Sequence, residues 1–158
     1  MYFDELDLND NVLDALYDMR FDTCTPVQEK CIPEILEGHD VLGVAQTGTG
    51  KTAAYLLPVL SKLDDGGYPK DAINCVIMSP TRELAQQIYD NFVLYGKKLP
   101  VYPTVIFGGV NQQGQVNALH RGADVVIACP GRLWDLMNQG FVHLDKVETF
   151  VLYEADRM

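Results

Sequence analysis

The chain has no paired-cysteine motif. Cys24, Cys31, Cys75 and Cys129 are scattered along 158 residues without a C-x-x-C spacing, and the three histidines are equally dispersed. This pattern excludes a zinc site and a disulfide framework, and leaves reduced, buried thiols as the expectation. Long apolar runs are missing too. None approaches the about eighteen residues of a membrane span, and the opening MYFDELDLND is acidic rather than basic, so neither insertion nor export is indicated and a cytoplasmic protein is expected. Basic residues are scarce, twelve against twenty-two acids for a formal charge of −10, which argues against nonspecific nucleic-acid binding. The deficit is local, however. Residues 1–22 hold seven acids and one base, Arg20, for −6, so the other 136 residues carry only −4. Any nucleic-acid contact is therefore expected to be local.

What is present is the composition of an ordinary globular domain, 47% hydrophobic and long enough to bury a core. The most specific signal is AQTGTGKT at residues 45–52. Gly48 and Gly50 let the backbone turn tightly and point successive N–H groups inward, Lys51 reaches the outer phosphates, and the Thr52 hydroxyl faces a magnesium ion. The usual pattern, G-x-x-x-x-G-K-[ST], has glycine where Ala45 stands, and a small residue still fits there. DVLGVA before the motif and TAAYLLPVL after it supply the strand and helix that the motif requires.

Two helical patterns come first. Val12, Leu13, Leu16 and Tyr17 are expected on one face of the first, and Ile32, Ile35 and Leu36 on a face of the second, which has Pro26 at its first position. From residue 40 apolar runs and helical patterns alternate: DVLGVA, KTAAYLLPVLSKL, INCVIMSP, TRELAQQIYDNFVLYGKK, YPTVIFGG, NQQGQVNALHRG, DVVIACP, GRLWDLMNQ and ETFVLY. Short runs rich in Val and Ile are expected of parallel strands buried on both faces, and right-handed crossovers place helices on each side. The expected fold is a doubly wound α/β sheet of the P-loop NTPase kind. Ligands of such sheets gather beyond the carboxyl ends of the strands. There stand the phosphate loop, Pro80-Thr81-Arg82-Glu83-Leu84, Gly108-Gly109, Cys129-Pro130-Gly131-Arg132 and Tyr153-Glu154-Ala155-Asp156.

AQTGTGKT, PTREL, a GG pair, a PGR turn and an x-E-A-D box, in this order and at these intervals, resemble the first RecA-like lobe of a DEAD-box RNA helicase. The resemblance divides the chain into N-terminal helices with a Q motif (1–39) and a RecA-like ATP-binding core (40–158). Phe21-Asp22-Thr23-Cys24-Thr25-Pro26-Val27-Gln28 is similar to the family's adenine-reading Q motif, with Phe3 as its isolated upstream aromatic. It implies that Gln28 bonds the adenine edge and that Phe21 packs on the ring. Thr25-Pro26-Val27-Gln28 is equally a capping box, with Thr25 as N-cap and Gln28 reaching back. Arg20 and Cys24 stand where the family usually has glycine and proline.

The resemblance further implies ATP and Mg2+ as cofactors, bound through Ala45, Gln46, Thr47, Gly48, Thr49, Gly50, Lys51 and Thr52, with Glu154 and Asp156 from the box. It implies RNA as the partner, held by sugar and phosphate at Pro80, Thr81, Arg82, Gly108, Gly109, Pro130, Gly131 and Arg132. Cys129 replaces a usual threonine and loses a hydroxyl donor. Tyr153 replaces the acid that holds magnesium, and a neutral phenol is a poor ligand for that ion. Glu154 remains as catalytic base beside Lys51. The family's Ser-Ala-Thr segment and second lobe are expected beyond Met158, so the chain alone is expected to bind nucleotide but not to unwind a duplex, to be weak or inactive as an ATP hydrolase, and to leave an open sheet edge at its last strand. Two other functions stay open. One is a non-hydrolysing, nucleotide-gated RNA-binding module, favoured by Tyr153. The other is an unrelated P-loop ATPase, opposed by Phe3, Gln28, PTREL and PGR.

Overall fold

The computed structural model describes residues 1–43, 50–69 and 71–154. The chain forms two compact units, one of Met1–Gly67 with Phe92–Pro100 and one of Tyr68–Asn91 with Val101–Met158.

The first unit is helical. Helix α1 (Asp10–Asp18) starts at Asn9, whose side chain accepts from the Val12 amide at 3.0 Å. The Asn9 side-chain amide donates to Asp64 at 2.7 Å, and its backbone N–H donates to Ser61 Oγ at 2.7 Å. Ser61 is fully buried within α3 (Lys51–Asp65), so one residue both caps α1 and ties it to α3. Val12, Ala15 and Leu16 make the buried stripe, whereas Tyr17, expected inside, is 79% exposed and Leu13 is half-buried. At 100° per residue Tyr17 points nearly opposite to a stripe centred on Val12, and Ala15 fills the inner place. Helix α2 (Pro26–Leu36) has Pro26 in its first turn as expected and buries Ile32, with Ile35 and Leu36 half-buried. Lys97 and Lys98 bridge Asp18 at 3.3 and 3.0 Å, holding the carboxyl below its ordinary range chiefly through the Lys98 hydrogen bond.

The second unit is a parallel sheet of four described strands, β1 (Cys75–Met78), β2 (Pro103–Ile106), β3 (Val125–Ala128) and β4 (Thr149–Leu152), in the order β2-β3-β1-β4. Helices α4 (Arg82–Tyr95), α5 (Gln113–Arg121) and α6 (Pro130–Asn138) connect them, and α4 carries the chain from this unit into the first. Val76, Ile106, Val126 and Ala128 pack with Val116 of α5 and with Leu133 and Leu136 of α6 in one core. Cys75, Ile77, Val125 and Ile127, on the alternate face, are equally buried, which is why these strands read as unbroken apolar runs. Burial pushes the Cys75 thiol up to about 12, and burial is also the leading cause that raises Cys24, Cys31 and Cys129, so all four stay free, protonated thiols at neutral pH. Among the described strands β4 lies at the edge of the sheet, with Phe150 and Leu152 half-exposed.

One expected strand, DVLGVA, falls only partly on the described residues. Of DVLGVA, residues 40–43 are described and have no strand structure, and Leu42 is 93% exposed; Val44 and Ala45 lie outside the described residues. An apolar run becomes a strand only by pairing, and these four residues make no ladder bond among the described residues.

Candidate nucleotide and nucleic-acid sites

In the first unit the described part of the phosphate motif is Gly50, Lys51 and Thr52; Ala45, Gln46, Thr47, Gly48 and Thr49 lie outside the described residues. Gly50 is the N-cap of α3 at φ 85°, in the left-handed region that glycine enters without cost. Its carbonyl accepts from the Ala54 amide at 3.0 Å and from Gln28 Nε2 at 3.2 Å. A Cβ at Gly50 would collide with that same Gln28 nitrogen. Lys51 and Thr52 occupy the first turn of α3, where helix amides lack acceptors within the helix and favour an anion.

Gln28 is 6% exposed and both ends of its amide are engaged. Oε1 accepts from the Thr25 amide at 2.9 Å while Nε2 holds Gly50, so the reaching-back half of the capping box is formed and extended onto the phosphate helix. The Thr25 hydroxyl beside it is buried and has no hydrogen-bond partner among the described residues.

Phe3 and Phe21 meet elsewhere in this unit. The N-terminal residues pair with the Q-motif segment through a Tyr2–Thr23 bridge, Phe3 N–H donates to Asp22 O at 3.0 Å, and Cys24 N–H donates to Met1 O at 2.9 Å. That last donor would be lost with the proline usual at position 24. Both phenylalanines line one pocket of about 490 Å³ with Leu13, Leu16 and Tyr17. Arg20 just before them sits at φ 60°, with Phe21 N–H returning to Leu16 O at 2.9 Å: a helix-ending turn that glycine fits best.

In the second unit the carboxyl ends of the strands share one edge, since Met78, Ala128, Ile106 and Leu152 are in register across the sheet. The residues that follow them are therefore neighbours. After β1, Ser79 is buried and Thr81 caps α4, its hydroxyl accepting from Leu84 N–H at 3.2 Å. Pro80 precedes that cap, and Arg82 opens the helix with its guanidinium 4.8 Å from the centre of the Phe107 ring. After β2 come Gly108 and Gly109, the latter at φ 81°, where an added Cβ would stand 3.4 Å from Arg82 Nη1. After β3, Cys129 is the N-cap of α6 but makes no side-chain capping bond, which fits a thiol in a hydroxyl's place. Pro130 and Gly131 form the first turn, and Arg132 donates to Val110 O at 3.0 Å and to Gln115 Oε1 at 3.3 Å. After β4, Tyr153 N–H extends the ladder to Met78 O at 2.8 Å, and Glu154 takes φ 57°, a left-handed conformation uncommon for a residue other than glycine. Asp156 lies outside the described residues.

Two residues with roles in this arrangement give no sequence signal of their own. Gln115, buried in α5, donates to Phe107 O at 2.9 Å and accepts from Arg132; Phe107 lies under Arg82. Both roles depend on strand register, which no local pattern encodes.

A parallel sheet with its polar loops after the strands, in a chain that also opens a helix on Gly50-Lys51-Thr52, defines a RecA-like lobe of P-loop NTPase architecture. The profile of DEAD/DEAH box helicases matches residues 25–158, and the chain belongs to that family. It is 42% identical over its whole length to the ATP-dependent RNA helicase CshA of Limosilactobacillus reuteri, of which it spans 31%. It is 44% identical over 156 residues to the ATP-dependent RNA helicase DBP3 of Debaryomyces hansenii, of which it spans 29%. Among solved structures, a DEAD box protein from the hyperthermophile Methanococcus jannaschii superposes over 100% of this chain and 42% of its own with a TM-score of 0.91 at 35% identity.

Proposed function

We propose that the chain is the nucleotide-binding lobe of an ATP-dependent RNA helicase, in which RNA-stimulated ATP hydrolysis is coupled to local strand separation by a second lobe. What supports this is the family match over residues 25–158 together with relatives named as ATP-dependent RNA helicases. The phosphates would lie on the amides that open α3, where the missing Cβ of Gly50 leaves room for the Gln28 amide against the turn. Lys51 neutralises the outer phosphates. Gln28 reads the adenine edge, Phe21 packs on the ring with Phe3 as the upstream aromatic, and the Gln28 bond to Gly50 O links base recognition to the loop that holds the phosphates.

The donor set fits a nucleotide better than it fits magnesium. Thr52 offers a hydroxyl, but position 153 offers a phenol where a carboxylate is needed. Glu154 is the base that orients the attacking water, and Asp156 joins the box to RNA-dependent closure. Mg2+, when bound, supplies charge neutralisation of the phosphates. Pro80, Thr81, Arg82, Gly108, Gly109, Pro130, Gly131 and Arg132 hold the RNA sugar-phosphate backbone without reading bases. In this reading residues 1–39 carry the Q motif and 40–158 the core, and the protein works in the cytoplasm.

The test is a titration of the chain with fluorescent ADP and GDP, each with and without magnesium. Adenine-selective binding with little magnesium effect is expected. Equal affinity for the two nucleotides would overturn the role of Gln28, and a steep rise with magnesium would overturn that of Tyr153.

A further inference from the structure

We propose that Phe107 and Gln115 are positioning residues that aim Arg82 and Arg132 at the phosphates of a bound strand, a role that rests on the RNA reading above. An arginine meant for an anion must be ordered without being neutralised. A carboxylate would order it and cancel its charge; an aromatic face or a neutral carbonyl orders it and leaves the charge available. Both arginines here are held in the second way. Arg82 is exposed, lies 4.8 Å over the Phe107 ring, and has no carboxylate partner among the described residues. A ring face takes up none of the five guanidinium N–H groups. Arg132 gives one N–H to Gln115 Oε1 and one to Val110 O, both neutral, and keeps the rest.

The two are set by the same short segment. Phe107 supplies the ring, Gly109 the space beside Arg82 Nη1, and Val110 the carbonyl for Arg132. Gln115 fixes that segment by donating to Phe107 O at 2.9 Å while its other end receives Arg132. A shift in the segment therefore moves both guanidinium groups together, and neither can be re-aimed alone.

The experiment measures anisotropy of fluorescein-labelled oligouridylate with the chain and its variants across a range of salt, alongside NMR of the arginine side chains without RNA. Phe107→Leu is expected to weaken binding about threefold and Gln115→Leu about fivefold, with Phe107→Tyr restoring wild-type affinity. Phe107→Leu adds nothing once Arg82 is alanine, and once Arg132 is alanine Gln115→Leu keeps only the part of its loss that runs through Phe107 to Arg82. Losing one phosphate contact lowers the salt slope by about 0.7. In the free protein the Arg82 side-chain protons show an upfield ring-current shift that Phe107→Leu removes and Phe107→Tyr keeps. Additive losses in the double variants, unchanged affinity in the single ones, or no ring-current shift in the wild type overturns the positioning role while leaving RNA binding in place. A chain that shows the shift yet binds no oligonucleotide at any salt overturns the RNA reading, and the positioning role with it.

Discussion

The two units build their sites from different materials. In the first, the phosphate helix is started by backbone and by one buried amide, and the bonds that shape the site also hold the unit together: Gln28 joins Thr25 N–H to Gly50 O. In the second, the sheet is held by its apolar core, and the residues at the strand ends extend beyond it on exposed or half-buried side chains. A change at the first site should therefore move stability and binding together. A change at the second should move chemistry and leave the fold nearly alone.

The largest effect is expected at the second site. Tyr153→Asp, made in the two-lobed protein that the proposed function implies, restores a carboxylate at the end of β4 and should raise RNA-stimulated ATP turnover by about a hundredfold, which is about 2.7 kcal/mol of barrier. The Tyr153 backbone bond to Met78 O does not depend on the side chain, so the β4 ladder should survive the change. Turnover is read by phosphate release and stability by urea titration. If turnover stays flat while magnesium affinity rises, Glu154 is not the base; if stability falls with turnover, the contrast between the units fails.

Gly50→Ala tests the first site. The new methyl group must occupy φ 85° and displace the Gln28 amide, leaving the Thr25 N–H without its partner and the Gly50 carbonyl with the Ala54 amide alone. Left-handed strain costs about 1–2 kcal/mol and an unsatisfied buried group costs about 1–3 kcal/mol, so a loss of about 3 kcal/mol is expected in urea unfolding, with nucleotide affinity lost alongside. Unchanged stability with lost affinity would mean that Gln28 belongs to the ligand rather than to the fold.

This difference also explains what was legible in the sequence. Helix starts are local, so Pro26 in α2, Lys51-Thr52 opening α3 and Pro130 in α6 follow from a few neighbouring residues. The runs of Val and Ile that became β1 to β4 are legible because parallel strands are apolar on both faces. Residues 40–43, the described part of the run DVLGVA, read the same way yet show no strand, because pairing rather than composition makes a strand and pairing is not local. Tyr17 has an apolar ring that reads as core, yet helical geometry gives the inner place to the small Ala15. Of the site, the loop residues were legible as motifs. Their supports were not: Gln115 lies 17 residues from Arg132, and Arg132 lies 22 from Val110. Only the sheet register brings such pairs together.

Arg20→Gly should stabilise the first unit. Arg20 holds φ 60° at the end of α1, and glycine removes a steric cost there of about 1 kcal/mol after allowing for its greater freedom in the unfolded chain. Because Arg20 is one residue before Phe21, the midpoint should rise without loss of adenine selectivity. A drop in ADP affinity would show that the arginine had been kept for binding, and that even the turn leading into the aromatic pocket serves the ligand.

The smallest effect concerns His39, whose Nδ1 lies 2.7 Å from Glu34 and 3.7 Å from Glu37 just past α2. The Glu34 hydrogen bond raises its pKa above the ordinary 6.5, with the nearby charges of Glu34 and Glu37 adding to it. A raised folded pKa means that the pair stabilises fully below pH 6.5 and loses that contribution as pH climbs through the folded value. All three groups are well exposed, so solvent screens the effect and the midpoint should shift only slightly. The sharper readout is the imidazole itself, followed by NMR across pH: Glu34→Gln should bring its titration down towards the ordinary value. An unmoved titration would leave the pair as a contact of position without energetic consequence, and would confine the union of fold and charge in the first unit to its buried amides.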